Sequence, residues 1–310
     1  MSDHLLAGIL ERCRPLEPLA TAVAHPCDAV AMSSLAGAAD AGLMDPILVG
    51  PKAKILAAAE AAGVDAGRWP LEDVPHSHAA AERAVALVRG GQATSLMKGS
   101  LHTDELLHAV MVKETGLRTE RRASHVYVMA VPRYHKLLLV TDAAINLYPG
   151  LDEKADICRN AIELAHALGI PLPKVAILSA VETVTSKLPS TIEAAALCKM
   201  AERGQIEGGL LDGPLAFDNA IDRASAVAKH IRSEVAGDPD ILLAPDLEAA
   251  NILAKQLTFL AGAEASGLVL GARVPIVLTS RADSRDARLA SAGLALLLVE
   301  HRRQRALQAL

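Results

Sequence analysis

"GARVPIVLTSRADS", residues 271–284, is the stretch on which the fold class turns. Val274-Pro275-Ile276-Val277-Leu278 is a short, uninterrupted apolar run, the pattern of a strand buried on both faces. It stops at Thr279-Ser280-Arg281, and Asp283-Ser284 opens an amphipathic stretch that continues almost to the C-terminus. A buried strand, a polar junction and a helix make the repeating unit of an α/β chain. The junction itself is either a capped turn or a place where an anion meets a reacting group.

The same alternation extends outward. Strands are predicted at 46–49, 94–97, 124–131, 136–141, 174–179, 208–211, 240–243 and 274–278, and helices at 52–62, 79–89, 152–168, 191–203, 217–235 and 247–260. The 136–141 run follows another strand directly across "PRYH", which predicts a hairpin or a meander at the sheet edge. The rest reads as βα units around a largely parallel sheet. Repeats, low-complexity segments and long linkers are lacking, so any domain boundary falls inside the alternation.

Composition narrows the function. The 310 residues suffice for two domains or one large α/β unit, and 51% hydrophobic residues supply a core. The longest apolar stretch, Leu294 to Val299, is too short to cross a bilayer, and the N-terminal "MSDHLLAGILERCRP" has no signal-peptide pattern. Cys13, Cys27, Cys158 and Cys198 show no CxxC pairing, which fits reduced thiols in the cytoplasm. A net charge of −5 and 2% aromatic residues argue against a nucleic-acid partner. Anions would have to be met locally, by helix N-termini and clustered cations.

Open parallel sheets bind ligands beyond the carboxyl ends of their strands. Here those ends carry Lys98-Gly99 with Thr103-Asp104, then Thr141-Asp142, Ser179, Asp212-Gly213-Pro214, Pro245-Asp246 and the 279–284 junction. Asp246 and Ser284 sit where helix N-caps belong, and capping accounts for most such residues. Capping explains neither Arg281 nor Asn251 and Lys255, one turn apart on an apolar helix. Lys98-Gly99 lacks the full glycine-rich phosphate loop. His102 and His108 fall on different faces of a helix, a poor arrangement for one metal, and no metal site is predicted.

The motifs taken together resemble the phosphate acetyl/butyryltransferase family, and most closely its phosphate butyryltransferase-like branch. The resemblance is carried by "ILVGPKAKI" (47–55), "LMKGSLHT" (96–103), "VTDAAINLYP" (140–149), "LSAVETV" (178–184), "KLPSTIEAAAL" (187–197), "DGPLAFDNAI" (212–221), "PDLEAANILAKQL" (245–257) and "GARVPIVLTSRADS". It implies reversible transfer of a short acyl group, acyl-CoA plus phosphate giving acyl phosphate plus CoA. It implies two α/β domains of the isocitrate/isopropylmalate dehydrogenase type with an active-site cleft between them. It further implies that the last segment returns to the first domain, giving domains of 1–142 with 282–310 and of 143–281. Coenzyme A is then a co-substrate with no tightly bound cofactor, and a homodimer or larger homo-oligomer in the cytoplasm, without a membrane, is expected.

Acyl transfer needs an anchor for the phosphate dianion, a proton acceptor for a thiol of pKa near ~8.5, and donors aimed at the acyl oxygen. Arg281 suits phosphate because its planar fork forms paired hydrogen bonds. The resemblance places Ser280 and Arg281 at the reacting centre, with Ser280 positioning rather than attacking. Acetyltransferase members carry an aspartate seven positions after that serine, but this chain has Ala287 there. Asp283 is the preferred base or orienter, with Asp286, Asp142 and Glu182 as alternatives. Lys98 and Thr103, helped by the backbone amides of Gly99 and Ser100, are expected to form a second anion-binding edge. Thr141, Asp142, Asn251 and Lys255 are assigned to substrate contacts. Two further readings stay open: a CoA- or acyl-phosphate-binding protein without catalysis, and an NAD-dependent decarboxylating dehydrogenase on the same fold. A third, acyl-phosphate synthesis from acyl-carrier protein, differs only in the donor.

Overall fold

The computed structural model describes residues 4–278 and 283–308. The chain divides into two compact units, one containing residues up to 121 together with those from 266 onward, the other Arg122–Ala265. The expected reacting pair, Ser280 and Arg281, lies outside the described residues.

The first unit starts with α1 (His4–Cys13), β1 (Leu19–Ala24), α2 (Ala29–Asp40), β2 (Met44–Gly50), α3 (Lys52–Ala62), β3 (Leu71–Asp73), α4 (Ser77–Arg89), β4 (Ser95–Lys98) and α5 (Thr103–Met111). β1 is central, paired in parallel with β2 on one side and β4 on the other. Ala22, Val23 and Ala24 are fully buried there. Local signals set the helix ends: Asp28 caps α2 by accepting from the Ala31 N–H at 2.7 Å, and Gly63, at φ 66°, ends α3 in the left-handed region.

The second unit contains β5 (Ser124–Ala130), β6 (Leu137–Thr141), α6 (Leu151–Ala167), β7 (Lys174–Leu178), α7 (Pro189–Glu202), β8 (Leu210–Leu215), α8 (Phe217–Ile221), α9 (Arg223–Ala228), β9 (Ile241–Leu243) and α10 (Leu247–Phe259). Its strands lie in the order β5-β6-β9-β7-β8. β5 and β6 form the antiparallel hairpin predicted from "PRYH", and β6, β9, β7 and β8 are mutually parallel. The single helix predicted over 217–235 is two short ones. Asp222 breaks it by leaving helical dihedrals (φ −118°, ψ 118°) and capping α9 through the Ser225 N–H at 2.7 Å.

The chain then returns to the first unit through β10 (Glu264–Leu270), β11 (Ile276–Val277) and α11 (Arg285–Gln308). Strand order there is β3-β2-β1-β4-β11-β10, with only the β10–β11 pair antiparallel. The 274–278 run contributes two residues to the ladder, although Val277 still pairs with Met97. α11 packs on α1 at Gly293, where an added Cβ would lie 2.3 Å from the Ile9 side chain. Arg288 ties α11 to α2 by donating to Ser34 Oγ at 2.8 Å.

Candidate active site

In the first unit, register aligns three strand ends. Ala24 pairs with Lys98, and Met97 pairs with Val277, so parallel β1, β4 and β11 finish at one edge of the sheet. That is the edge at which α/β sheets hold ligands. From it the chain runs into 279–282 and re-emerges at Asp283, just ahead of α11. Ser284 caps this helix, its Oγ accepting from the Ala287 N–H at 3.1 Å. Asp286 lies in the first helical turn. The sequence reading of Ser284 as cap and Asp286 as a helix residue therefore agrees with the structure.

The β4 end is built differently from the expected phosphate cradle. The Gly99 and Ser100 amides donate to the carbonyls of Ala24 and His25, both at 2.9 Å. These two N–H groups extend the β1–β4 pairing and are not directed at a ligand. Lys98 is buried, and its Nζ reaches the carbonyl oxygens of Gly99 at 3.3 Å and Leu101 at 3.1 Å. A Cβ at position 99 would sit 2.5 Å from the His25 oxygen, so glycine is required by close backbone approach. Thr103 opens α5, whose N-cap residue His102 makes no side-chain capping bond.

The same edge holds a group that the sequence reading missed. His25 follows β1 directly, at φ 55°, and its Nδ1 lies 3.1 Å from Ser100 Oγ. Burial, with a smaller contribution from Lys54, moves its pKa below the ordinary 6.5. Without β1 in the predicted strand set, nothing placed His25 at a strand end.

In the second unit, Thr141 and Asp142 leave β6 as predicted, but both are engaged internally. Thr141 Oγ1 donates to the His125 carbonyl at 2.9 Å. Asp142 Oδ1 accepts from the N–H groups of His125 (3.2 Å), Ala144 (3.0 Å) and Ile145 (3.2 Å), and Oδ2 accepts from Asn146 twice. This is a turn organiser, with its lone pairs occupied. The His125 ring beside it is fully buried, and desolvation takes its pKa down to about 4 despite the Asp142 carboxylate.

Asn251 on α10 donates to the Ala143 carbonyl at 3.0 Å, so the structure brings Thr141, Asp142 and Asn251 to one turn. Lys255 is exposed one turn further along the helix. Asp246 caps α10 through the Ala249 N–H at 2.8 Å. Glu182, after β7, accepts from Asn219 and Lys229, both at 3.1 Å, and the Lys229 hydrogen bond leads in lowering its pKa. A carboxylate held in that way is a weaker base.

The opposite end of these strands carries a polar cavity of about 520 Å³ lined by His135, Lys174, Arg223, Glu234, Gly237 and Asp238. Asp238 is its hub, 3.0 Å from Lys136 and 2.8 Å from Lys174. No helix among the described residues is long and apolar enough to cross a membrane.

Comparison with known proteins adds a family match: residues 76–295 fit the model described as "Phosphate acetyl/butaryl transferase". A phosphate acetyltransferase from Rhizobium meliloti is 60% identical over 97% of this chain and 94% of its own length. A phosphate butyryltransferase from Clostridium acetobutylicum is 41% identical over 93% of this chain and 95% of its own. Among solved structures, the branched-chain phosphotransacylase from Enterococcus faecalis V583 superposes with a TM-score of 0.78 at 29% identity, covering 91% of this chain and 100% of that one.

Proposed function

Because this chain belongs to the phosphate acetyl/butyryltransferase family and is a phosphate acyltransferase, we propose that it transfers a short acyl group reversibly between CoA and inorganic phosphate by direct thiolate attack. The observation that carries this reading is the family match over 76–295, which spans the "LMKGSLHT" block and the ends of β4, β6 and β7. The match also covers the 271–284 block, where Ser280 and Arg281 stand.

Arg281 holds the phosphate through its planar fork, and Ser280 positions the reacting groups. Asp283, two residues past Arg281 and just outside the cap of α11, is the base or orienter. Lys98 and Gly99 shape the loop that leads to Thr103 and the start of α5, whose backbone N–H groups favour an anion. Thr141, Asp142 and Asn251 fix the turn after β6, and exposed Lys255 offers a cation for CoA phosphates. CoA acts as a co-substrate without a tightly bound cofactor. A cytoplasmic homodimer or larger homo-oligomer completes the reading.

The test is release of free CoA thiol from acetyl-, propionyl- and butyryl-CoA, each with and without phosphate. Acetyl-CoA is the first donor to try, given the 60% identity to a protein named phosphate acetyltransferase. Phosphate-dependent release with at least one donor is expected. A folded sample inactive with all three would leave CoA binding without catalysis as the better account.

A further inference from the structure

We propose that His25 takes the proton from the CoA thiol during acyl transfer, an inference that rests on the acyltransferase reading above. The chain has Ala287 where the resemblance calls for an aspartate seven residues after Ser280. A proton acceptor has to come from elsewhere, and the geometry of the β1 end supplies one.

His25 is pinned from three directions. Its N–H donates to Val49 of β2 at 2.7 Å, and its carbonyl accepts from the Ser100 N–H at 2.9 Å and the Cys27 N–H at 2.9 Å. Its backbone lies in the left-handed region at φ 55°, which a residue with a Cβ occupies only when its surroundings enforce it.

The contacts of Ser100 favour one placement of the ring proton. Ser100 Oγ has one hydrogen, and it lies 2.9 Å from the His25 carbonyl, which can only accept. The hydrogen goes there. The Cys27 N–H takes one Oγ lone pair at 3.2 Å, and the arrangement that uses every one of these contacts has His25 Nδ1, at 3.1 Å, donating to the other. Nε2 is left with its lone pair, the form a general base requires.

Burial, more than the charges around the ring, keeps it neutral at neutral pH. Burial and Lys54 of α3 depress its pKa below 6.5, while Glu105 of α5 and Asp28 before α2 oppose without outweighing them. Lys98 of β4 is the further cation at this strand end, paired across the ladder with Ala24. The ring therefore stands as a neutral base at the edge from which β11 leads into Ser280 and Arg281.

The step balances without a further reagent. The thiol proton passes to Nε2 as sulfur bonds to the acyl carbon of the acyl phosphate. The bond from that carbon to the phosphate oxygen then breaks, and phosphate leaves with the electron pair. In reverse, the imidazolium returns its proton to the departing thiolate. Asp283 is left with the orienting role.

The experiment compares wild type with His25→Asn, whose amide nitrogen takes the place of Nδ1 as donor to Ser100 Oγ but cannot act as a base. Rates of acyl phosphate consumption with CoA are measured from about pH 5 to pH 8, where histidine titrates. The wild-type kcat should fall on the acid side with an apparent pKa below 6.5. The variant should lose about 10²- to 10⁴-fold in kcat at neutral pH with little change in the KM for CoA. Its acid limb should give way to a rise toward thiol ionisation near ~8.5. A folded variant with wild-type kcat and an intact acid limb would overturn the proposal and leave the acyltransferase reading standing, whereas an inactive wild type would sink both. Ring ¹⁵N shifts of wild-type His25 test the assignment independently of any variant's folding. An Nε2–H tautomer, or a pKa above 6.5, would overturn it.

Discussion

Asn146 donates its side-chain amide to Asp142 Oδ2 across 2.6 Å, and its backbone N–H reaches the same oxygen at 3.1 Å. The same amide also donates to the Ala123 carbonyl at 2.8 Å, tying the turn after β6 to the residue before β5. Asp142 is 4% exposed, so its oxygens are satisfied by these donors and not by water. What reads in sequence as a strand-end carboxylate available for chemistry is a carboxylate already fully employed.

Asp142→Asn should therefore destabilise the fold by about 3 kcal/mol, because an NH₂ group would face N–H donors and at least one of them would lose its acceptor. Urea melts measure this. Rate per folded molecule should change little, and a large fall in kcat with unchanged stability would assign Asp142 to the chemistry.

Arg281→Lys should be nearly as damaging as Arg281→Ala. Reducing a two-pronged phosphate contact to one prong costs about 1.5–3 kcal/mol in the transition state, roughly ten- to a hundredfold in rate. Steady-state kinetics with varied phosphate decide it. A lysine variant with normal KM for phosphate and normal kcat would make Arg281 a surface residue.

The carboxylates flanking the start of α11 should separate cleanly. Asp283→Asn should lower kcat by a similar factor at every pH, as an orienting group does. Asp286→Asn should leave kcat alone and cost a few tenths of a kcal/mol, since it removes a charge that complements the N-terminal dipole. Ser284→Ala should cost about 1 kcal/mol through loss of the cap. Thermal melts and pH–rate profiles on the three variants provide the readout. Loss of the acid limb in Asp283→Asn alone would make that carboxylate, and not His25, the base.

The pH dependence of stability has one clear contributor at the amino ends of the second unit's strands. Burial pushes the Asp238 carboxyl up, but hydrogen bonds from Lys174 and Lys136 outweigh it, and the net shift is below the ordinary 3.8. A depressed folded-state pKa means stability present above the unfolded value and lost as pH falls through the folded one. Asp238→Asn should thus be less stable than wild type at neutral pH, with the difference closing below about pH 3.8. Chemical denaturation at neutral pH and at low pH tests the sign. A gap that widens in acid would mean that the lysines do not hold this carboxylate.

The sequence by itself determined the elements whose signals are local. The helix over Lys52–Ala62 was legible from its alanine-rich helical pattern, and the caps at Asp246 and Ser284 from residue type and position. The ordered strand-end motifs likewise sufficed to indicate the family and to single out Ser280 and Arg281. β1 escaped, because "LATAVA" has only one β-branched valine and one threonine among alanines. It is a strand because β2 and β4 flank it on both sides, a pairing that joins residues far apart in the chain. Tertiary structure alone decided what depends on such pairing: that Asp142 is spent on its own turn, that the Gly99 and Ser100 amides are consumed by β1, and that His25 stands beside Ser100. Hydrogen-bond partners and desolvation are set by neighbours distant in sequence, so residue type can nominate a group for chemistry while only its surroundings determine whether its lone pairs remain available.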